Sequence, residues 1–163
     1  MTMITIENVV KFLKGEKTWA EVEGITAMQA NEYKRAGYGY MEQGDFERAG
    51  RMFECLITIN PQDVDSYAFR GVVHQAQEQN DLAIRSYDAA LAIDSRHVLA
   101  LANRGELRMQ LGDQLGITDL QRAAELDPMG RTVAGKRAAG LVRALKLRSP
   151  MASKKVAKAS SRR

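Results

Sequence analysis

The side chains able to do chemistry are few, and their spacing does not bring them together. A metal site or a general base would need His74 or His97, the two histidines, beside a Cys, Asp or Glu on the same helical face. Neither has such a neighbour at ligand spacing. His74 falls at a packing phase inside a helix, and His97 falls at a turn. Cys55, the single cysteine, follows Glu54 and precedes Leu56 on an apolar helix, and reads as an inert buried thiol rather than a nucleophile. Gly37-Tyr38-Gly39-Tyr40 is glycine-rich but lacks the strand and the lysine of a phosphate loop. The acids are scattered over helix caps and solvated faces. The expectation is a protein without catalysis, metal or cofactor.

Charge sharpens that expectation. Residues 1–130 hold 13 Lys/Arg against 20 Asp/Glu, a net of −7, whereas residues 131–163 hold 11 Lys/Arg and no acid. A nucleic-acid binder carries positive charge on its folded surface, and here the body has the opposite sign, so nucleic acid is not an expected partner. The basic end reads as a solubilising, frayed tail, with binding of anions left open. One cysteine excludes an intramolecular disulfide and suggests a reducing compartment. No run of 18 apolar residues offers a membrane span. The first residues, Met1-Thr2-Met3-Ile4-Thr5, look like an expression leader, lack the n-region of a secretory signal and carry no argument. A cytoplasmic chain of 163 residues, with room for one domain, is expected.

What must position everything else is an internal repeat. Gly37, Gly71 and Gly105 stand 34 residues apart. Each is preceded four residues earlier by a large side chain, Tyr33, Tyr67 or Leu101. Downstream come Ala49-x3-Phe53, Ala83-x3-Tyr87-x2-Ala90, and Gly116-x3-Leu120-x2-Ala123. The third copy is shifted by one because its inner turn is one residue shorter. The units close on Ile59-Asn60-Pro61, Ile93-Asp94-Ser95 and Leu126-Asp127-Pro128. Small residues at 37, 71 and 105 let paired helices approach to about 8–10 Å, and the large ones at 33, 53, 67, 87, 101 and 120 fill the space between helices. Gly44-Asp45 and Gly112-Asp113 supply a helix stop followed by an N-cap.

Shorter helices are expected to cap the stack. Residues 5–14 read as an amphipathic helix with Ile6, Val9, Val10 and Leu13 on one side. Thr18 and Glu21 are spaced as a capping box for a second one, with Trp19 and Val22 to bury. Residues 131–148 read as a final helix whose Val133, Leu141, Val142 and Leu145 cover the last repeat, and from Ser149 the Ser/Ala/Lys composition predicts disorder.

The repeat resembles the tetratricopeptide repeat, which implies an all-α solenoid of three helix pairs with short N-terminal helices and a C-terminal capping helix. The boundaries are 1–29 for the N-terminal helices, 30–63, 64–97 and 98–129 for the repeats, 130–148 for the cap and 149–163 for the basic tail. In that family the first helix of each pair lines a concave face. The resemblance then implies a groove of Lys34, Tyr38 and Met41, Ala68, Val72 and Gln75, and Leu99, Ala102, Glu106 and Met109. Such a groove would be about 30 Å long and would hold roughly six to nine extended residues. Its apolar, methionine-bearing lining suits apolar anchors. A clamp for a peptide's C-terminal carboxylate would need several basic or amide side chains; only Lys34 qualifies, with Val72, Ala102 and Glu106 at the other positions.

Leu13-x-Gly15-x2-Thr18-Trp19-x2-Val22-x-Gly24-Ile25-Thr26, followed by Gln43-Gly44-Asp45-Phe46-Glu47-x-Ala49, narrows the likeness. Over about residues 9–129 the chain resembles the class II chaperones of bacterial type III secretion, which attend translocator proteins. That resemblance implies a non-catalytic chaperone holding an extended apolar segment of a translocator-like client, without membrane insertion, and a homodimer formed through the N-terminal helices. A general assembly scaffold or adaptor is the alternative, and a coactivator working through the basic tail is a third reading. The basic tail itself departs from the family pattern.

Overall fold

The computed structural model describes residues 5–160; residues 1–4 and 161–163, at the outer ends of the N-terminal segment and the basic tail, lie outside the described residues. The regular elements among the described residues are α-helices: α1 Ile6–Leu13, α2 Trp19–Glu23, α3 Ala27–Glu42, α4 Phe46–Ile59, α5 Val64–Ala76, α6 Asn80–Ile93, α7 Val98–Gln110, α8 Leu115–Leu126 and α9 Val133–Ser160. The chain divides into two compact units, Met1–Ser95 and Arg96–Arg163. Division into units suits a repeat whose members pack on their neighbours.

In the first unit the pairs α3/α4 and α5/α6 are antiparallel neighbours, and α4 also packs on α5. A Cβ at Gly37 would lie 2.9 Å from Phe53 Cζ. A Cβ at Gly71 would collide with the ring of Tyr87. Phe53 and Tyr87 are fully buried, so the ring of each second helix sits where the first helix has no side chain. Around Phe53 the buried stripe Ala49, Phe53, Leu56 and Ile59 follows a 4-3-3 spacing, which fixes one face of α4 inward. Cys55 lies off that stripe and is exposed, so the buried thiol expected from its apolar neighbours is corrected.

Tyr33 is also corrected: it is 42% exposed. Its counterpart one repeat later, Tyr67, is half-buried, because α4 stands against α5 while no earlier repeat stands against α3. The turns follow their residues. Gly44 has φ +75° and Gly112 φ +84°, while the second repeat forces Glu78 to φ 60° in the same place. Left-handed backbone costs a residue with a Cβ about 1–2 kcal/mol. The Asp45 carboxylate caps α4 by accepting from the Arg48 N–H, and the His97 ring nitrogen accepts from the Ala100 N–H at the start of α7.

The N-terminal helices form as expected, with the Thr18–Glu21 capping box closed in both directions. Val22 is fully buried, and Trp19 meets Phe12 edge-on at 5.1 Å. The apolar side of α1 is not covered, however: Ile6 is 85% and Leu13 76% exposed.

In the second unit α7, α8 and α9 pack on one another. Gly105 and Gly116 face each other closely, and a Cβ on Gly105 would lie 2.8 Å from the Gly116 carbonyl oxygen. Asp119 is buried and accepts from Arg104 at 2.8 and 2.7 Å and from Arg108 at 3.0 Å, which locks α8 to α7. Asp127, at the end of α8, accepts from the Thr132 N–H, the Arg131 N–H and the Thr132 hydroxyl, and these bonds, the first most of all, hold its carboxyl below the usual carboxylate range. The face α9 buries is Ala134 and Ala138, followed by half-buried Leu141 and Leu145 at helical spacing. Val133 points away from it, 82% exposed, against expectation. α9 extends to Ser160, and the tail expected from 149 falls on residues whose side chains lie outside the description.

Gly71→Ala should destabilise the protein by about 1–3 kcal/mol, since overpacking against Tyr87 outweighs the gain in helix propensity. Gly39→Ala, where a Cβ meets nothing within 4 Å, should instead stabilise it by roughly 0.5–1 kcal/mol. Urea unfolding followed by circular dichroism reads both; equal effects would show that the contact with Tyr87 is not what the glycine permits.

Candidate functional site

The residues expected to line a groove fall into three physical groups, with Leu99 and Met109 of α7 apart from them. Tyr38, Met41 and Val72 form the first, on α3 and α5 of the first unit, and all three are half-buried. Tyr38 is wedged among rings, 4.6 Å from Phe69 and 5.8 Å from Phe53 between centroids. Burial, followed by the negative charges of Asp65 and Asp63, pushes its phenol up to about 12. It therefore stays neutral, part aromatic wall and part core. Met41 packs against the same core. Phe69, which bridges Tyr38 and Phe53, was not anticipated, because it sits outside the three-and-four spacing that links Ala68, Val72 and Gln75.

Residues held by partners make the second group. Lys34 Nζ donates to Asp63 at 3.0 Å and Asp65 at 3.3 Å. Its one positive charge thus faces two carboxylates, which disfavours a carboxylate clamp further. Gln75 accepts from the Tyr87 hydroxyl at 2.9 Å. In the second unit Glu106 pairs with Arg137 at 2.9 Å, and Arg137 also donates to Asn103, so α9 ties down this part of α7.

Two alanines form the third group. Ala68 is fully buried and Ala102 is 1% exposed. Neither offers surface to a guest, and both are corrected from lining residues to packing residues. Small side chains at these positions let a neighbouring element close over them. Leu99 and Met109, on α7, are half-buried and apolar.

The stripe of α3 that carries Lys34 continues toward its N-terminus through Asn31, Ala30 and Ala27, at three- and four-residue spacing. There it borders an open cleft of about 270 Å³. Ile25, Ala30, Leu56 and Ile59 give the cleft an apolar lining, and Asn31, Asn60, Lys34 and Asp63 give it a polar rim. The sequence holds a signal for this cleft, the uninterrupted spacing 27-30-31-34, which the 34-residue period alone does not extend past the repeat boundary.

Other chemistry is not assembled. His74 Nδ1 is 2.8 Å from Gln79 Oε1, a local bond between a helix end and its turn. Among the described residues no group of three or more His, Cys, Asp or Glu is placed to hold a metal ion, and no helix is long and apolar enough to cross a membrane.

The family model of the tetratricopeptide repeat matches residues 64–97. The type IV pilus assembly protein PilF of Pseudomonas aeruginosa is 36% identical over 73 residues, which are 45% of this chain and 29% of that protein. The low calcium response locus protein H of Yersinia pestis is 26% identical over 102 residues, 63% of this chain and 61% of that one. The chain thus spans less than two thirds of the length of these relatives. Among solved structures, the type III secretion translocator chaperone SycD of Yersinia enterocolitica superposes with a TM-score of 0.70 at 22% identity, covering 78% of this chain and 97% of that one. SycD in complex with a peptide of the translocator YopD gives 0.65 at 22% identity, over 77% and 98%. The chain matches the tetratricopeptide repeat at residues 64–97, its regular elements among the described residues are all α-helices, and its fold resembles that of the type III secretion translocator chaperones.

Proposed function

We propose that this chain is a non-catalytic, peptide-binding chaperone of the bacterial cytoplasm that holds an extended apolar segment of a translocator-like client. The observation that carries the proposal is the strip of half-buried apolar side chains on the first helices of the first unit, Tyr38, Met41 and Val72. A well-formed monomer surface seldom keeps aromatic and methionine side chains half-wet in a row without a use. Met41 adapts to differently shaped anchors, while Tyr38 is braced by Phe53 and Phe69. Support comes from the resemblance to SycD, which has been solved holding a translocator peptide. Leu99 and Met109 give α7 a comparable apolar strip of its own.

The apolar side of α1 fits a homodimer through the N-terminal helices, because a free Ile6 and Leu13 cost solvation that a second copy would relieve. The match to PilF favours a second reading, a scaffold for assembling a larger machine. A chaperone keeps its client soluble and releases it; a scaffold holds two folded partners at once.

Val72→Asp combined with Met41→Glu should weaken binding of an extended client peptide by at least about tenfold, the cost of burying unpaired charge in an apolar contact. Calorimetry reads the affinity, and an unchanged helical spectrum certifies the fold. Undiminished affinity would move the binding surface elsewhere. Tyr38→Ala is a poorer probe, since it also empties space between Phe53 and Phe69. Ile6→Lys with Leu13→Lys should shift the protein from dimer to monomer in sedimentation; a dimer that survives both would remove α1 from the interface.

A further inference from the structure

The stripe that carries Tyr38 and Met41 runs down α3 through Lys34 and Asn31 to Ala30 and Ala27, where it ends in the open cleft. From Ala30 to Tyr38 is about 12 Å along the helix axis, at 1.5 Å per residue. The cleft volume of about 270 Å³ falls below the roughly 300–1,000 Å³ of a small-molecule site and suits one large side chain. Its floor is apolar. Leu56 and Ile59 are 1% and 6% exposed, with Ile25 and Ala30 half-buried beside them.

The polar groups around that floor differ in the bonds they have left to make. The Thr18 and Thr26 hydroxyls are held by Glu21 and Gln29 in their capping boxes. Asp63 accepts from Lys34 and Ser66. Lys34 directs two of its three ammonium protons at Asp63 and Asp65. Asn60 uses its side-chain oxygen on the Gln62 N–H and keeps its NH2. The Asn31 side chain, exposed on the rim, is bonded to no other described residue. One ammonium proton and two amide groups thus ring the floor, and they match the C=O and N–H groups of an extended main chain.

We propose that the cleft seats a second apolar side chain of the client, with Asn31, Asn60 and Lys34 bonding the client's main chain. This rests on the peptide-binding reading and adds a spacing to it. In an extended chain, residues four apart project to the same side about 13 Å from one another, whereas residues three or five apart project to opposite sides. The client segment therefore carries two large apolar side chains four residues apart, one for the Tyr38–Met41 strip and one for the cleft. A free carboxylate fits less well, because Asp63 and Asp65 already face Lys34. Ile6 or Leu13 of a second copy is carried on a helix, whose main chain is bonded internally and would leave the amides unused.

The test uses the full chain and blocked serine–threonine peptides of about nine residues with two leucines three, four or five positions apart. Calorimetry reads affinity, and NMR follows the Ile25 and Ile59 methyl groups. The four-residue spacing should bind at least about tenfold tighter than the other two, as expected for one more buried leucine, and should shift both methyls. Ala27→Trp, at an exposed position on the cleft wall, should remove that advantage. Asn31→Ala should weaken the same peptide by about two- to tenfold. Both should keep the helical spectrum. Binding lost in the Val72→Asp, Met41→Glu variant but indifferent to leucine spacing and to both cleft changes overturns the cleft and leaves the strip standing. No binding of any peptide, or binding indifferent to strip and cleft variants alike, overturns the peptide-binding reading and the cleft with it. A change in sedimentation with Ala27→Trp and none in peptide affinity gives the cleft to a second copy and equally overturns the proposal.

Discussion

A helix pair in this protein closes because one helix gives up a side chain where the other inserts a large one. Gly37 yields to Phe53, Gly71 to Tyr87, and Gly105 to Gly116 and Leu120. Each of these glycines costs about 1 kcal/mol of helix propensity, offset by burial of a side chain that contributes about 1.5–3 kcal/mol. The consequence reaches the surface. With Phe53 seated beneath Gly37, Tyr38 next in sequence is turned toward Phe69 on the following first helix. The half-buried aromatic wall on α3 and α5 is thus a by-product of how the pair packs.

That coupling sets the character of the candidate site. Tyr38 is held by rings on two other helices and, with its phenol pushed up to about 12, presents a neutral surface across the physiological range. Lys34 is absorbed by Asp63 and Asp65. What is left for a guest is apolar surface with a rigid aromatic part and a pliable methionine, close to a cleft lined by Ile25, Leu56 and Ile59. Such a surface selects apolar anchors in an extended chain and has little to offer a carboxylate.

The helices and their turns were legible in the sequence because each rests on local signals: the 34-residue period, Gly44 and Gly112 in left-handed turns, Asp45 as a cap, Thr18 with Glu21. Sidedness was less legible. Cys55 reads as buried from its neighbours, Tyr33 from its place in the repeat and Val133 from its place on the final helix, yet exposure depends on which helix stands opposite. Tyr33 has no preceding repeat, Cys55 lies off the Phe53 stripe, and Val133 precedes the Ala134–Ala138 face. The same limit applies to Ala68 and Ala102, which share a helical phase with Val72 and Glu106 but are closed over. Glu78, 34 residues from both Gly44 and Gly112, takes the glycine's conformation by its place in the period although its residue type gives no hint of it, and His97 stands at the N-cap of α7 one period after Asp63 at that of α5.

The account depends on an extended guest lying against the first helices of the first unit. Methyl-resolved NMR of the protein with a client segment of about nine residues tests this most directly. Intermolecular contacts from the Met41 and Val72 methyl groups to the peptide, with the Ile57 and Ile84 methyls of the second helices unperturbed, are the predicted result. Contacts confined to α4 and α6, with Met41 and Val72 silent, would contradict it.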